Sequence, residues 1–298
     1  MMNAIVTAGG IPQPGDPLYA YSKGDSKALI DIEGKPMIQW VLDALSESKK
    51  VDNVIVIGLT AKSGLACKKP LYFVPNQGRM LANIVAGVNK SLELNKASEY
   101  VLGVSSDIPA LKGEMVDWLV DTAMETRDDI YYGVCPKEVM EARYPTSNRT
   151  YTKLKDMQIC GADMGILHVD QITKNLDTWE ALIGSRKSPL RSAAVVGWDL
   201  LFRLLTRQIT LQGLVERASQ RIGVKGRAII WSQAEPCMDV DKPHQLELMR
   251  VDLANQERKT VSAEKKAASV KKLVKTKPVA KSASSKTKTQ VKSKAKQK

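Results

Sequence analysis

The sequence predicts an α/β fold, a mainly parallel twisted sheet with helices on both faces, followed by a disordered basic tail. Three observations predict it. Short apolar runs alternate with amphipathic helical patterns, which is the rhythm of βαβ crossovers. The runs are apolar nearly throughout rather than alternating with polar residues, as strands covered on both faces are. Aromatic residues make up only 5% of the 298 residues, with two phenylalanines, so the 43% hydrophobic fraction rests on Val, Ile, Leu, Ala and Met. That is enough for one sizeable core in a chain of this length.

Taken in order, "AIVTA" (4–8) reads as the first strand. "MIQWVLDAL" (37–45) then has helical spacing, its stripe of Trp40, Leu42 and Leu45 being core packing rather than a base-stacking platform. "NVIVIGL" (53–59) is a strand, residues 80–92 a helix, "YVLGVSS" (100–106) a strand and 113–125 a helix. After "DIYYGV" (129–134) the rhythm changes. "YTKLKDMQICGADMGILHV" (151–169) reads as strand, turn and strand about Lys155-Asp156. Helical patterns fill roughly 170–221 with a break near Ser188-Pro189, "RAIIWS" (227–232) is a last strand, and Pro243 opens a helix that ends near Arg258.

The formal charge of +13 suggests a nucleic-acid binder until it is located along the chain. Arg258–Lys298 hold 15 of the 45 basic residues and one of the 32 acids, leaving a body with 30 basic and 31 acidic groups. The body, residues 1–257, is therefore neutral. Residues 258–298 are built almost wholly from Lys, Ala, Ser, Thr and Val and cannot bury enough apolar area to offset their ordering entropy. Cys67, Cys135, Cys160 and Cys237 form no Cys-x-x-Cys pair and no zinc spacing with histidine. They read as buried free thiols in a reducing compartment. With no signal-peptide pattern and no apolar run of membrane-spanning length, a cytoplasmic protein is expected. His168 and His244 lack a second ligand at useful spacing and read as structural or surface residues.

Three places carry the chemistry, each just after a predicted strand, where ligands of open parallel sheets bind. Thr7-Ala8-Gly9-Gly10 offers glycine backbone that phosphate oxygens can approach closely, with Lys27 beyond it to supply positive charge. It matches neither a Walker A loop nor Gly-x-Gly-x-x-Gly. "VSSDIPAL" (104–111) places Asp107 at the end of an apolar strand, where its carboxylate suits Mg²⁺ or caps the next turn. "CMDVDKPHQLELMR" (237–250) places Asp239 and Asp241 two apart. In extended backbone both would face one cation, while Asp241 could instead cap the helix that follows.

"TAGG", "SKALIDIEGKPMIQWVLDAL", "SSDIPAL" and "DVDKPHQLEL", in this order and spacing over residues 3–252, resemble the nucleotidyltransferases of the MobA-like group, which have the Rossmann-like GT-A type α/β fold. The resemblance implies that Ala8, Gly9 and Gly10 contact a nucleoside triphosphate, that Ser106 does so beside Asp107, that Lys27 binds its phosphates, and that Asp107 holds Mg²⁺, with Mn²⁺ as the alternative. Asp239 or Asp241 would be the second metal ligand. It further implies that "QGRMLANIVAGV" (77–88) meets the base and ribose, with Asn83 its best hydrogen-bonding residue or else an exposed helix residue. "ICGADMGIL" (159–167) resembles the acceptor-side Gly-Gly-Asn element, with Asp163 in place of asparagine, and Arg149 and Lys153 could meet an acceptor phosphate or stand as solvated surface charge.

The sequence departs from the sugar nucleotidyltransferases where they continue as Gly-x-Gly-x-Arg. Here "IPQPGDPLYAYSKGDS" intervenes with no arginine before Lys27, so Lys23 or Lys27 takes over that charge or the loop closes differently. The expected reaction is transfer of a nucleoside monophosphate to a phosphorylated small-molecule acceptor (a sugar phosphate, a polyol phosphate or a molybdopterin-type cofactor) with release of pyrophosphate. Two rivals remain at this level. A GT-A glycosyltransferase would use a nucleotide-sugar, although its Asp-x-Asp falls midway rather than at the end of the body. A scaffold would act through its tail, whose 15 cations suit salt-sensitive contact with nucleic acid or an anionic surface but lack interleaved aromatics for stacking.

Overall fold

The computed structural model describes residues 1–185, 195 and 197–258. Met1–Ala254 form one compact unit. The break expected near Ser188-Pro189 and the basic tail beyond Arg258 lie outside the described residues.

The strands are β1 (Met2–Thr7), β2 (Asp31–Ile32), β3 (Lys35–Pro36), β4 (Val51–Ile57), β5 (Leu71–Val74), β6 (Tyr100–Ser105), β7 (Ile130–Pro136), β8 (Thr152–Lys153), β9 (Gln158–His168) and β10 (Gly226–Ile230). The helices are α1 (Tyr19–Ser22), α2 (Met37–Glu47), α3 (Met80–Leu94), α4 (Gly113–Met124), α5 (Lys137–Arg143), α6 (Val169–Lys174), α7 (Leu176–Ser185), α8 (Trp198–Leu205), α9 (Leu211–Ile222) and α10, which begins at residue 243. The main sheet runs β10-β7-β9-β6-β1-β4-β5, with β8 paired to β9 and β2-β3 a separate hairpin. β1 is parallel to both β4 and β6, β4 to β5, and β7 to β10, whereas β9 is antiparallel to β6 and β7. The chain leaves β1 for β4 on one side and later returns to β6 on the other. That reversal opens a crevice at the carboxyl ends of β1 and β6.

The two faces of the sheet are covered differently. On one, α2 and α4 pack Val41, Leu42, Leu45, Val116 and Leu119 without exposure onto Ala4, Val6, Leu102 and Ile166. α2 presents Ile38, Val41, Leu42 and Leu45 at i, i+3, i+4 and i+7 spacing, and Pro36 sets its entry. On the other face the apolar residues form two clusters. One joins α3 and α6 to Ile5, Ile55 and Val101, and the other joins α8 and α9 to Val134 and Ile159. In β9, Cys160, Ala162, Met164 and Ile166 enter the α2 face, so Gly161, Asp163 and Gly165 turn to the other.

Four short elements go beyond the sequence reading: α1, β5, α5 and the β2-β3 hairpin, whose two-residue turn puts Glu33 and Gly34 at φ +52° and +79°. The four cysteines are unbridged, with Cys135, Cys160 and Cys237 buried and Cys67 half-buried. Among the described residues no helix is long and apolar enough to cross a membrane.

Candidate active site

The loop after β1 is held by its neighbours. Ala8 is buried and its N–H donates to Ile57 O (2.8 Å). Ser26 Oγ donates to Ala8 O (2.7 Å) and accepts from Ala28 N (3.3 Å), and Lys27 N donates to Gly10 O (2.9 Å). Ser26 thus fastens the lysine-bearing turn to the glycine turn, although 16 residues separate Gly10 from Lys27. Gly58, directly after β4, lies at φ +102°, and a Cβ there would come within 2.4 Å of Gly9 Cα. Only glycine fits this contact.

Lys27 Nζ donates to Asp107 Oδ2 at 2.6 Å and also to Asp241 Oδ1. The lysine and Asp107 are 18% and 16% exposed, whereas Asp241 is 59% exposed. Burial alone would lower the lysine pKa, but the charges of Asp107 and Asp241 outweigh it and hold the ammonium above its ordinary value. Asp107 Oδ1 is buried with no hydrogen-bond partner. Asp107 therefore caps nothing, and its second oxygen is available to a cation.

The Asp239-Val240-Asp241 segment reaches this point because Val240 N donates to Asp107 O at 2.9 Å and Val240 itself is fully buried. The two acids do not share one cation. Asp241 joins Lys27, whereas Asp239, almost wholly buried, pairs with Arg149. Nor does Asp241 cap α10: Gln245 Oε1 accepts from both Asp241 N and Lys242 N at 2.9 Å. Arg143 fixes the segment from both ends, donating to Glu235 (2.9 Å) and to Asp252 (2.7 and 2.8 Å).

Arg149 lies 86% buried beside Asp163, 3.9 Å away, and its Nε has no partner. Asp163 keeps 35% of its side chain exposed through an opening in the sheet's less covered face. Desolvation by the surrounding protein, reinforced by the charges of Asp107 and Asp241 and only partly offset by Arg149, pushes its pKa up to about 7. Four carboxylates, Asp107, Asp163, Asp239 and Asp241, thus meet two cations, Lys27 and Arg149.

Ser106 is buried and its N–H donates to Thr7 O (3.2 Å), holding the β6 exit beside the glycine turn. Asn83 is buried rather than exposed on its helix, and its amide is already engaged. Its Oδ1 accepts from Gln77 N (2.7 Å) and its Nδ2 donates to Asn76 Oδ1 (3.1 Å). Asn76 in turn donates to Gly9 O (3.0 Å). Asn83 therefore shapes the loop that braces the glycine turn. Asn76 and Gly58 escaped sequence reading, and their signals were a glycine just after a strand and an Asn-x-Gly turn after an unrecognised one. Lys153 is exposed on β8 and joins none of these ion pairs, and Lys23, the other candidate to replace the missing arginine, ends α1 exposed. His168 caps α6 through Asp170 N, and His244 meets Ser147 O, both structural contacts.

Residues 5–199 match the family model of the MobA-like NTP transferase domain. A hypothetical transferase from Thermus thermophilus has a similar structure, with TM-score 0.70 and 30% identity over 83% of this chain and 100% of that one. A CMP:2-keto-3-deoxy-manno-octonic acid synthetase complexed with CTP shares the fold, with TM-score 0.53 and 15% identity over 86% of this chain and 99% of that one. The mitochondrial 3-deoxy-manno-octulosonate cytidylyltransferase of Arabidopsis thaliana is 26% identical over 114 residues, which span 38% of this chain and 39% of that curated relative. With a mixed, mostly parallel sheet, a glycine turn and a strand-end aspartate in the family's order, the chain belongs to the MobA-like NTP transferase family.

Proposed function

We propose that the protein transfers a nucleoside monophosphate from a nucleoside triphosphate to a phosphorylated small-molecule acceptor, releasing pyrophosphate, in a Mg²⁺-dependent reaction at the carboxyl ends of β1 and β6. The observation that carries this reading is Lys27 bridging Asp107 and Asp241 beside the Gly9-Gly10 turn. Neither Gly9 nor Gly10 N–H donates to a described residue, so both suit phosphate oxygens. The curated relative's cytidylyl chemistry makes CTP the first triphosphate to test.

The donor set fits a divalent cation. The cluster has two more carboxylates than cations, and Asp107 Oδ1 lacks a partner. Among the described residues no three acidic, histidine or cysteine side chains could enclose a metal alone, which suits Mg²⁺, an ion that takes one or two carboxylates and completes its shell with phosphate and water. Asp107 and Asp241 would hold it, where it would neutralise triphosphate charge. Asp239, committed to Arg149, is not a ligand in this reading.

Lys27 exchanges its carboxylate partners for phosphate oxygens as the triphosphate binds and then offsets charge developing on the leaving pyrophosphate. Arg149 holds the acceptor phosphate. Its oxygen forms a bond to the α-phosphorus in line as the α-β bridging bond breaks, the electron pair leaving on pyrophosphate. A phosphate oxygen is anionic near neutral pH, so no strong base is needed. Incubation of each triphosphate with Mg²⁺ and a panel of sugar, polyol and apolar phosphates tests the reading. Acceptor-dependent pyrophosphate is expected. Release of nucleoside diphosphate from a nucleotide-sugar instead would overturn it in favour of glycosyl transfer.

A further inference from the structure

Among the described residues, the less covered face of the sheet is open between its two apolar clusters. A cavity of about 480 Å³ lies beneath α3 and α7, and another of about 380 Å³ beneath α9. Ile130, Tyr132 and Trp179 line both, so the two cavities adjoin, and together they make a groove across β6, β9, β7 and β10. Its floor lacks bulk at Gly103 and Gly165, while the Tyr132 hydroxyl lies over Gly161. Each cavity is large enough for a small-molecule ligand.

One end of the groove is the active site. Thr7 and Ser105, which line it, directly precede Ala8 and Ser106, and Asp163 stands in its wall within the electrostatic reach of Asp107 and Asp241. Away from that end the lining among the described residues is apolar side chain or glycine, the Tyr132 hydroxyl excepted, as far as Thr152, Ser219 and Arg227. A sugar ring placed there would give up the water bonded to its hydroxyls and find few replacements. A hydrocarbon would gain by leaving water.

Resting on the nucleotidyltransferase reading above, we propose that this groove binds the acceptor and that the acceptor is the phosphate monoester of an apolar alcohol. Its phosphate sits at the Arg149 and Asp163 end, and its hydrocarbon portion lies over Gly103 and Gly165 toward Tyr132. The acceptor oxygen bonds to the α-phosphorus, the bond to pyrophosphate breaks with its electron pair, and the product is a nucleoside diphosphate ester of the alcohol.

Gly103 supplies the test. A Cβ at Gly103 would meet only Gly165 O, at 3.8 Å, so a larger side chain enters the groove without displacing backbone. Binding of geranyl phosphate and glucose 1-phosphate is measured by calorimetry without nucleotide, on wild type and on Gly103→Ala and Gly103→Leu. CTP-dependent thermal stabilisation with Mg²⁺ serves as the control for an intact nucleotide site. Geranyl phosphate is expected to bind at least tenfold more tightly than glucose 1-phosphate. Its affinity should fall in the order wild type, Ala, Leu, by tenfold or more for Leu, with the CTP response retained. Equal or tighter binding of glucose 1-phosphate, or an unchanged geranyl phosphate affinity in Gly103→Leu, would overturn the inference. If wild type shows no response to any triphosphate, the nucleotidyl-transfer reading fails instead, whatever the groove binds.

Discussion

The two faces of the central sheet differ in how completely they are sealed. Beneath α2 and α4, Val41, Leu42, Leu45, Val116 and Leu119 have no exposure, and the strands below them form one continuous core. The opposite face is split into two clusters with a groove between them, and the side chain of Asp163 opens into that groove. A fully buried aliphatic side chain contributes about 2 kcal/mol, so the sealed face supplies the larger share of stability. The split face gives up packing and keeps room for a ligand. The ion-paired cluster sits at the strand ends where the faces meet.

If that division is right, chemistry and stability should separate by mutation. The largest effect is expected from Asp107→Asn, which should lower kcat by more than about a thousandfold while circular dichroism and the thermal midpoint stay near wild type. Wild-type turnover in this variant would remove Asp107 from the mechanism. Lys27→Met should follow, with kcat down about a hundredfold to a thousandfold in a pyrophosphate-release assay, because Lys23 is exposed at the end of α1 and Arg149 is already paired with Asp239.

Stability should show the opposite pattern. Leu42→Ala in the sealed face should cost about 3 kcal/mol in urea unfolding, with activity of the folded fraction retained. Ile84→Ala, which already faces the 480 Å³ cavity, should cost only about 1 kcal/mol. Equal costs would mean that the groove is packed in solution and would erase the contrast between faces.

The last effect concerns pH. Asp163 takes up a proton more readily in the folded than in the unfolded chain, since its pKa is raised from 3.8 to about 7. Stability should therefore fall as pH rises from about 4 to 7, and the cost of the ionised carboxylate is fully present above pH 7. Asp163→Asn removes that cost. In chelator, without nucleotide, its thermal midpoint should exceed wild type at pH 8 and match it at pH 4.

Much of this organisation was legible in the sequence because it is local. Continuous apolar strands, a helix after Pro36 and strand-end Gly9-Gly10 and Asp107 each follow from neighbouring residues. β5 was missed because only four residues, Leu71–Val74, follow a Lys-Lys-Pro stretch, and the β2-β3 turn because Glu33-Gly34 lacks the usual Asn-Gly. The division between Asp239 and Asp241 was not readable, since it depends on Arg149, ninety positions earlier, and on Gln245 taking over the helix cap. Asn83 stands out in the sequence as a hydrogen-bonding residue, but its engagement with Asn76 and Gln77 requires the folded loop.

The most direct measurement is thermal stability with ATP, CTP, GTP and UTP, each with and without Mg²⁺, on wild type and Asp107→Asn. A ligand that binds only the folded chain stabilises it by RT ln(1 + [L]/Kd). The account predicts a Mg²⁺-dependent rise with one or two of the triphosphates that is absent from Asp107→Asn. No rise with any triphosphate, or an undiminished rise in the variant, would contradict it.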